Sequence, residues 1–318
     1  MVVYVEPKQA SQVPIIDLSG TFDGPSPARV EAAAKLLKAC RDTGFFYVVN
    51  HGVEQALIDA LFAQSKAFFD QRATAKERLL KRGGANGYEP VCAQALDPES
   101  PPDFKESFNI SAPGIPGSPD HLNNQWPEGM PDFKHVLEAY HREVRRVAFH
   151  ISRLIAKSLD MPFEFFDGNF DNQRASLRLL KYPPMPKDAK PNQLGAGAHT
   201  DFGWITVVAQ DSNGGLEVET ASGDWIRVDP IPGSFVVNLG DLVPEWTNGL
   251  YHSSLHRVFN TRPHLDRYSV VLFYNPRYET IVETIPTCLG PGETPRPSFV
   301  SGEHRQQRAA AAKRMNMP

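Results

Sequence analysis

Apolar residues recur along this chain in two textures. Between residues 26 and 159 they mostly return at helical spacing, and beyond residue 170 they come in short runs broken by turn residues. Val30, Ala33, Leu37 and Cys40 follow one another at spacings of three and four, behind Ser26-Pro27 as cap and first helical residue, so a helix is predicted there with Gly44 as its stop. Leu57, Leu61 and Phe68 mark a second amphipathic helix. Val136, Tyr140, Val144, Val147, Ile151, Leu154 and Leu159 mark a third and longer one. Val13–Leu18 and Phe45–Val49 are apolar, β-branched or aromatic, and read as strands. Residues 83–131 are rich in Gly, Pro, Asn and Asp, which predicts a long irregular segment with a strand inside it at Phe104–Ile110.

After residue 170, strand-like runs recur at Ser176–Tyr182, Thr206–Gln210, Leu216–Glu219, Trp225–Val228, Ser234–Leu239, His256–Phe259 and Tyr268–Tyr274. Short strands without intervening helices predict an antiparallel barrel or double-sheet jelly roll, with the earlier helices packed on one outer face. The fold class expected is therefore mainly β with α. Residues 13–125 form its N-terminal region and residues 174–277 its jelly roll, within one compact unit.

Composition narrows the function. The 318 residues are 41% hydrophobic and 22% charged, with a net charge of −4 and no long basic stripe. Disorder is excluded and nucleic-acid binding is not expected. No run approaches the roughly 18 apolar residues of a membrane span, and no signal peptide is recognisable. Cys40, Cys92 and Cys288 are odd in number and far apart, which argues against a disulfide framework and points to the cytoplasm.

Chemistry concentrates around Gly195–Asp201. On an extended strand His199 and Asp201, two apart, project from the same face. A second histidine from a neighbouring strand completes two imidazoles and one carboxylate, the facial set that suits non-haem Fe(II) and O₂. His256, opening the run His256-Arg257-Val258-Phe259, is the candidate, with the turn residue His252 a weaker competitor. Alone, a His-x-Asp pair is more often only a surface hydrogen-bonding pair. Arg267 and Ser269, also two apart, form a natural clamp for a carboxylate.

With these residues in place, the chain resembles the isopenicillin N synthase-like branch of the iron/2-oxoglutarate-dependent dioxygenases. The matching runs are Val13-Pro14-Ile15-Ile16-Asp17-Leu18, Gly44–Val53, Tyr182-Pro183-Pro184, Ala198–Gly203, Gly214–Val218, Asn238-Leu239-Gly240-Asp241, Ser254–Val258 and Arg267-Tyr268-Ser269. The resemblance implies a double-stranded β-helix, with His199, Asp201 and His256 as Fe(II) ligands. It implies Arg267 and Ser269 at the distal carboxylate of 2-oxoglutarate, with Tyr182 near that co-substrate. The implied reaction oxidises a small organic molecule with O₂, most simply by hydroxylation or else by desaturation or cyclisation, and converts 2-oxoglutarate to succinate and CO₂. No catalytic side chain is implied beyond the metal centre. One departure stands out: the family's asparagine two residues before the strand tyrosine is Leu180 here. Arg178, on the same strand face, replaces it at the C1 carboxylate or else binds substrate.

Substrate contacts are expected from Tyr88, Phe104, Phe108 and Asn109, from Phe202 and Trp204, and from Phe299 with the tail beyond it. Mostly aromatic, they suggest a substrate with some hydrophobic character. The chain is expected to act as a monomer or weak homo-oligomer. Two rivals stay open: an Fe(II) oxidase that uses no 2-oxoglutarate, and a non-catalytic jelly-roll binding protein.

Overall fold

The computed structural model describes residues 6–7, 13–83, 85–95, 100–112, 122–171, 175–262 and 264–315. The N-terminal half supplies β1 (Ile15–Asp17), α1 (Pro27–Asp42), β2 (Phe45–Val49), α2 (Gln55–Phe69), α3 (Ala73–Glu77), β3 (Tyr88–Glu89), β4 (Glu106–Ser111) and α4 (Pro131–Ser158). Then follow β5 (Ala175–Tyr182), β6 (Ala196–His199), β7 (Ile205–Gln210), β8 (Leu216–Glu219), β9 (Trp225–Arg227), β10 (Phe235–Leu239), α5 (Leu242–Trp246), β11 (His256–Val258) and β12 (Arg267–Tyr274). A small pair, β13 (Ile281–Val282) and β14 (Phe299–Val300), leads into α6 (Ser301–Met315).

Local chemistry explains the element ends. The Ser26 hydroxyl accepts from the Arg29 backbone N–H, with Pro27 opening α1. Past α1, Gly44 takes φ +64°, and a Cβ there would lie 2.0 Å from the His252 carbonyl oxygen, so only glycine fits. The face of α4 predicted from Tyr140, Val144, Val147, Ile151 and Leu154 is buried, with Phe133 and Leu137 added and Val136 at its margin. Within residues 83–131 the structure finds β4 and the short β3; residues 84, 96–99 and 113–121 lie outside the described residues.

Two sheets stack. The larger has eight strands in the order β1-β2-β10-β7-β12-β5-β4-β3, and the smaller has four in the order β6-β11-β8-β9. Period-two alternation divides the larger sheet cleanly. Phe46, Val48, Leu177, Leu179, Val207, Val237, Val270 and Leu272 face the helices and form the main core with them. Phe45, Tyr47, Leu180, Tyr182, Val208, Val236 and Val271 face the smaller sheet, where they meet Ala196, Leu216, Val218 and Val258. This is the jelly-roll sandwich expected of the sequence, with sheets that face each other without closing into a barrel. Helices and strands from both halves share the main core, and α4 runs beneath the sheet.

Three histidines are built into this framework uncharged. His51 stacks on Phe235, His141 faces the Ala175 carbonyl, and His150 bonds Thr21 and stacks on Phe22. His135 is exposed. Burial, reinforced by nearby arginines, pushes His51, His141 and His150 down to about 4 from an ordinary 6.5. Between those values the unfolded chain binds more protons than the folded one, so stability rises with pH across that window. The urea midpoint is expected to fall steadily as pH drops from 6.5 to 4. A flat midpoint over that range would contradict the buried, neutral assignment.

Candidate metal centre

His256 pairs directly opposite His199 in the β11–β6 register. Neighbouring strands thereby bring the imidazoles to 4.2 Å between ring centroids. Asp201 is not on the strand, contrary to the expected extended His-x-Asp: β6 ends at His199 and the chain turns. The turn still returns the carboxylate to the histidines. Asp201 Oδ1 lies 4.0 Å from His199 Nε2, and Oδ2 lies 3.8 Å from His256 Nε2. One donor atom from each residue falls within 4.8 Å of the others, and among the described residues this is the one such group of three. His252 is exposed and outside it.

The supporting bonds set each donor. His199 Nδ1 donates to the Gly197 carbonyl at 2.8 Å and His256 Nδ1 to that of Ser254 at 3.2 Å. A carbonyl only accepts, so both protons sit on Nδ1 and both Nε2 lone pairs face the shared centre. Burial, then the neighbouring His256 and Lys105 against the pull of Asp201, push His199 down to about 3. Burial alone would raise Asp201. The two imidazoles, with hydrogen bonds from Thr206 (2.6 Å) and Asn238 (2.7 Å), outweigh it and hold the carboxyl below its usual range. The centre thus presents two imidazole nitrogen donors and one carboxylate, a set that fits a divalent iron.

Thr206 and Asn238 are cross-strand partners on β7 and β10, and they direct Asp201 Oδ2. No periodicity in the sequence singles them out; only Asn238, within the run Asn238-Leu239-Gly240-Asp241, carries a signal. The backbone behind them is tight. Asp241 N–H donates to the Asp201 carbonyl, Gly240 N–H to that of Trp204 and Leu242 N–H to that of Gly203. A Cβ on Gly203 would meet Asn275 Oδ1 at 1.8 Å, and one on Gly240 would meet the Gly203 oxygen at 2.3 Å.

Arg267 and Ser269 project into the same sandwich from β12. The Arg267 guanidinium is fully buried, with Nε bonded to the Gly214 carbonyl, Nη1 3.4 Å from Ser269 Oγ and Nη2 3.2 Å from Gln210 Oε1. It also lies 4.8 Å over the Tyr182 ring. Among the described residues no carboxylate is within ion-pairing distance of it. A buried cation with no carboxylate in direct contact suits an anionic ligand.

Several expected substrate contacts lie elsewhere. Phe108 is fully buried among Phe68 and Phe133 on the helix side. Tyr88 packs on Phe68 with its hydroxyl on Glu106. Trp204 donates to Ser152 against Phe166 and Trp246, and Phe299 stacks on His304 and packs against the same core. Strand parity is the reason for Tyr88 and Phe108, which occupy the face opposite the site; Trp204 precedes β7 in a bend, and Phe299 lies on the separate β13–β14 pair. Phe104 is half-buried, its N–H on the Leu194 carbonyl just before β6. Phe202 lies under the Arg308 guanidinium of α6, which also reaches Asp241 and Thr200. Asn109 remains on the sandwich face, where its Oδ1 accepts from Arg178 Nε at 2.7 Å and its amide donates to Glu89.

Comparison with known proteins agrees with this geometry. Residues 173–276 match the model of the 2OG-Fe(II) oxygenase superfamily, and residues 13–129 match that of the non-haem dioxygenase in morphine synthesis N-terminal region. The chain belongs to the 2OG-Fe(II) oxygenase superfamily. It is 37% identical to a 2-oxoglutarate-dependent dioxygenase of Didymella fabae over 82% of this chain and 84% of that one. It is 33% identical to a homoarginine-6-hydroxylase of Oryza sativa subsp. japonica over 93% and 96%. A full-length Neurospora crassa protein crystallised in complex with alpha-KG superposes with TM-score 0.86 at 31% identity, covering 94% of this chain and 96% of that one. The protein is accordingly an Fe(II)- and 2-oxoglutarate-dependent oxygenase, with O₂ as the usual co-substrate of its family. Among the described residues no helix is long and apolar enough to cross a membrane.

Removing the bonds that aim Asp201 tests the support directly. Asn238→Ala or Thr206→Val is expected to weaken Fe(II) binding about 10- to 100-fold while the protein stays folded, measured by anaerobic metal titration. Unchanged affinity in both variants would show that these bonds do not position the carboxylate.

Proposed function

We propose that His199, Asp201 and His256 hold Fe(II), that Arg267 and Ser269 hold the distal carboxylate of 2-oxoglutarate with Tyr182 beneath, and that the enzyme hydroxylates a small polar metabolite. The convergence of three donor atoms within 4.8 Å carries this reading. Bound together, iron and 2-oxoglutarate supply the O₂-dependent oxidation chemistry, with succinate and CO₂ as co-products. The protein's part is position and exclusion of water. Both histidines present Nε2 atoms, Asp201 contributes the one anionic donor, and Arg267 fixes the far end of the co-substrate through charge-assisted bonds.

A polar substrate follows from what faces the site. With Tyr88, Phe108 and Trp204 turned into the core, the sandwich face of β3–β5 offers Glu89, Asn109 and Arg178 in one hydrogen-bonded cluster. Arg178, committed to Asn109 and Glu89, is read as a substrate contact, with Phe104 and Phe202 at the margins. The full-length Neurospora crassa protein has also been crystallised with alpha-KG and thymine, a polar ring of the kind such a cluster would hold. Three free thiols support a cytoplasmic enzyme.

His199→Ala and Asp201→Ala are each expected to abolish the anaerobic Fe(II)–2-oxoglutarate charge-transfer absorption; its persistence in both would sink the ligand assignment. Arg267→Ala is expected to raise the 2-oxoglutarate requirement by about 2–5 kcal/mol of binding, read from succinate formation across co-substrate concentrations. An unchanged requirement would remove Arg267 from the co-substrate site. Substrate class is tested with a panel of polar metabolites: the compound that triggers succinate release and gains one oxygen by mass is the substrate. Turnover confined to apolar compounds would overturn the polar reading.

A further inference from the structure

The strand that carries Tyr182 leaves the metal-side end of 2-oxoglutarate without a polar partner. Leu180, buried and apolar, sits in register between Ser269 on β12 and Ser107 on β4. Arg178, one step further along that face, is tied to Asn109 and Glu89.

Another cation is linked to the backbone of the metal centre. Lys105 lies just before β4, and its ammonium reaches the β6 side of the sandwich through Asp103. Its side chain is only 5% exposed. The ammonium donates to Asp103 Oδ2 at 2.6 Å, and Asp103 Oδ1 accepts from the Gly197 N–H at 2.9 Å. The Gly197 carbonyl in turn takes the Nδ1 proton of His199. Residues 103–105 therefore run along the free edge of β6, and a single carboxylate links the Lys105 ammonium to the backbone that orients a metal ligand. The Phe104 N–H on the Leu194 carbonyl fixes the same edge. The charge of Lys105 is felt at His199. An ammonium has three N–H donors, and Asp103 is its one hydrogen-bond partner among the described residues. A buried ammonium so placed is suited to a second oxygen anion beside His199.

We propose that Lys105 takes the metal-side carboxylate of 2-oxoglutarate, supplying from the segment just before β4 the polar contact that Leu180 denies from β5. This rests on the reading that the site binds 2-oxoglutarate. It divides the co-substrate between two cations: Arg267 holds the distal carboxylate and Lys105 the one next to the metal. Lys105 is thus a cofactor-binding residue that Asp103 positions.

The test uses anaerobic Fe(II)-loaded protein and two keto acids, 2-oxoglutarate and 2-oxobutyrate. They share the keto-acid end, and 2-oxobutyrate has no distal carboxylate. Charge-transfer absorption reports the binding of each. Lys105→Met is expected to weaken both keto acids by the same factor, at least about thirtyfold, while Fe(II) affinity in their absence is unchanged. Arg267→Ala is expected to weaken 2-oxoglutarate alone, and Lys105→Arg to restore most of what Lys105→Met loses. Unchanged binding of both keto acids in Lys105→Met would overturn the inference. So would weakening of 2-oxoglutarate alone, which would put Lys105 at the distal end, or a parallel loss of Fe(II) affinity, which would make it structural. If Lys105→Met does not fold, Lys105→Gln is read by the same criteria. Absence of the absorption in the unaltered protein would overturn the cofactor reading itself, and this inference with it.

Discussion

Direct pairing of His256 on His199 across two antiparallel strands is the constraint from which the centre follows. Strand geometry holds the two Cα atoms at a fixed separation, and a carbonyl behind each ring selects the tautomer. A slip of one residue would turn the His256 side chain to the other face of the smaller sheet. The register is reinforced on the far side of β11, where the Arg257 side chain is fully buried, bonds Glu217 at 2.7 Å and stacks under Trp225. Glu217 and Arg257 are themselves cross-strand partners, so one buried pair ties β8 to β11 beside His256. Breaking such a pair by removing one member costs about 3–5 kcal/mol, because the other charge stays buried.

Opposite the histidines the structure solves a different problem, that of keeping a carboxylate ionised inside a sandwich of apolar strands. Desolvation favours the neutral acid. Thr206 and Asn238 answer it from adjacent strands of the larger sheet, and Phe45 packs edge-on against His256 beside them. The same economy recurs at Asp103, whose two oxygens serve a backbone N–H and an ammonium at once. Polar groups in this interior thus come in small sets whose members hold one another.

Much of this was legible from residue order. Alternation and turn residues located most of the strands after residue 170 to within a residue or two, and the spacing of α4 gave its buried face. The metal trio was legible as well, although through an extended His-x-Asp that the chain does not adopt: Asp201 reaches the centre from a turn. Face assignment of isolated residues was not legible. Phe108 and Asn109 are neighbours, yet one lies in the helix-side core and the other in the sandwich, and only the β4–β5 register decides which. The same ambiguity misplaced Tyr88, whereas Trp204 was misplaced because the bend before β7 turns its ring into the core. Lys105 and Asp103 gave no signal because their role depends on which strand edge they lie against. Nor did α6, whose weak apolar patterning resembles a solvated tail and whose Arg308 nonetheless reaches Asp241.

The backbone packing around Gly203 and Gly240 bears on attempts to redirect such an enzyme. Residues 202–204 follow directly on Asp201 and invite randomisation in a search for new specificities. Gly203 has Asn275 where any side chain would begin, and Gly240 has the Gly203 oxygen. A mutant collection that varies position 203 would be filled with inactive members, since relieving the clash displaces the segment that carries Asp201. Diversity is better placed at Phe202, Phe104 and the Asn109–Arg178 cluster, where the surrounding chain can yield without disturbing the donors.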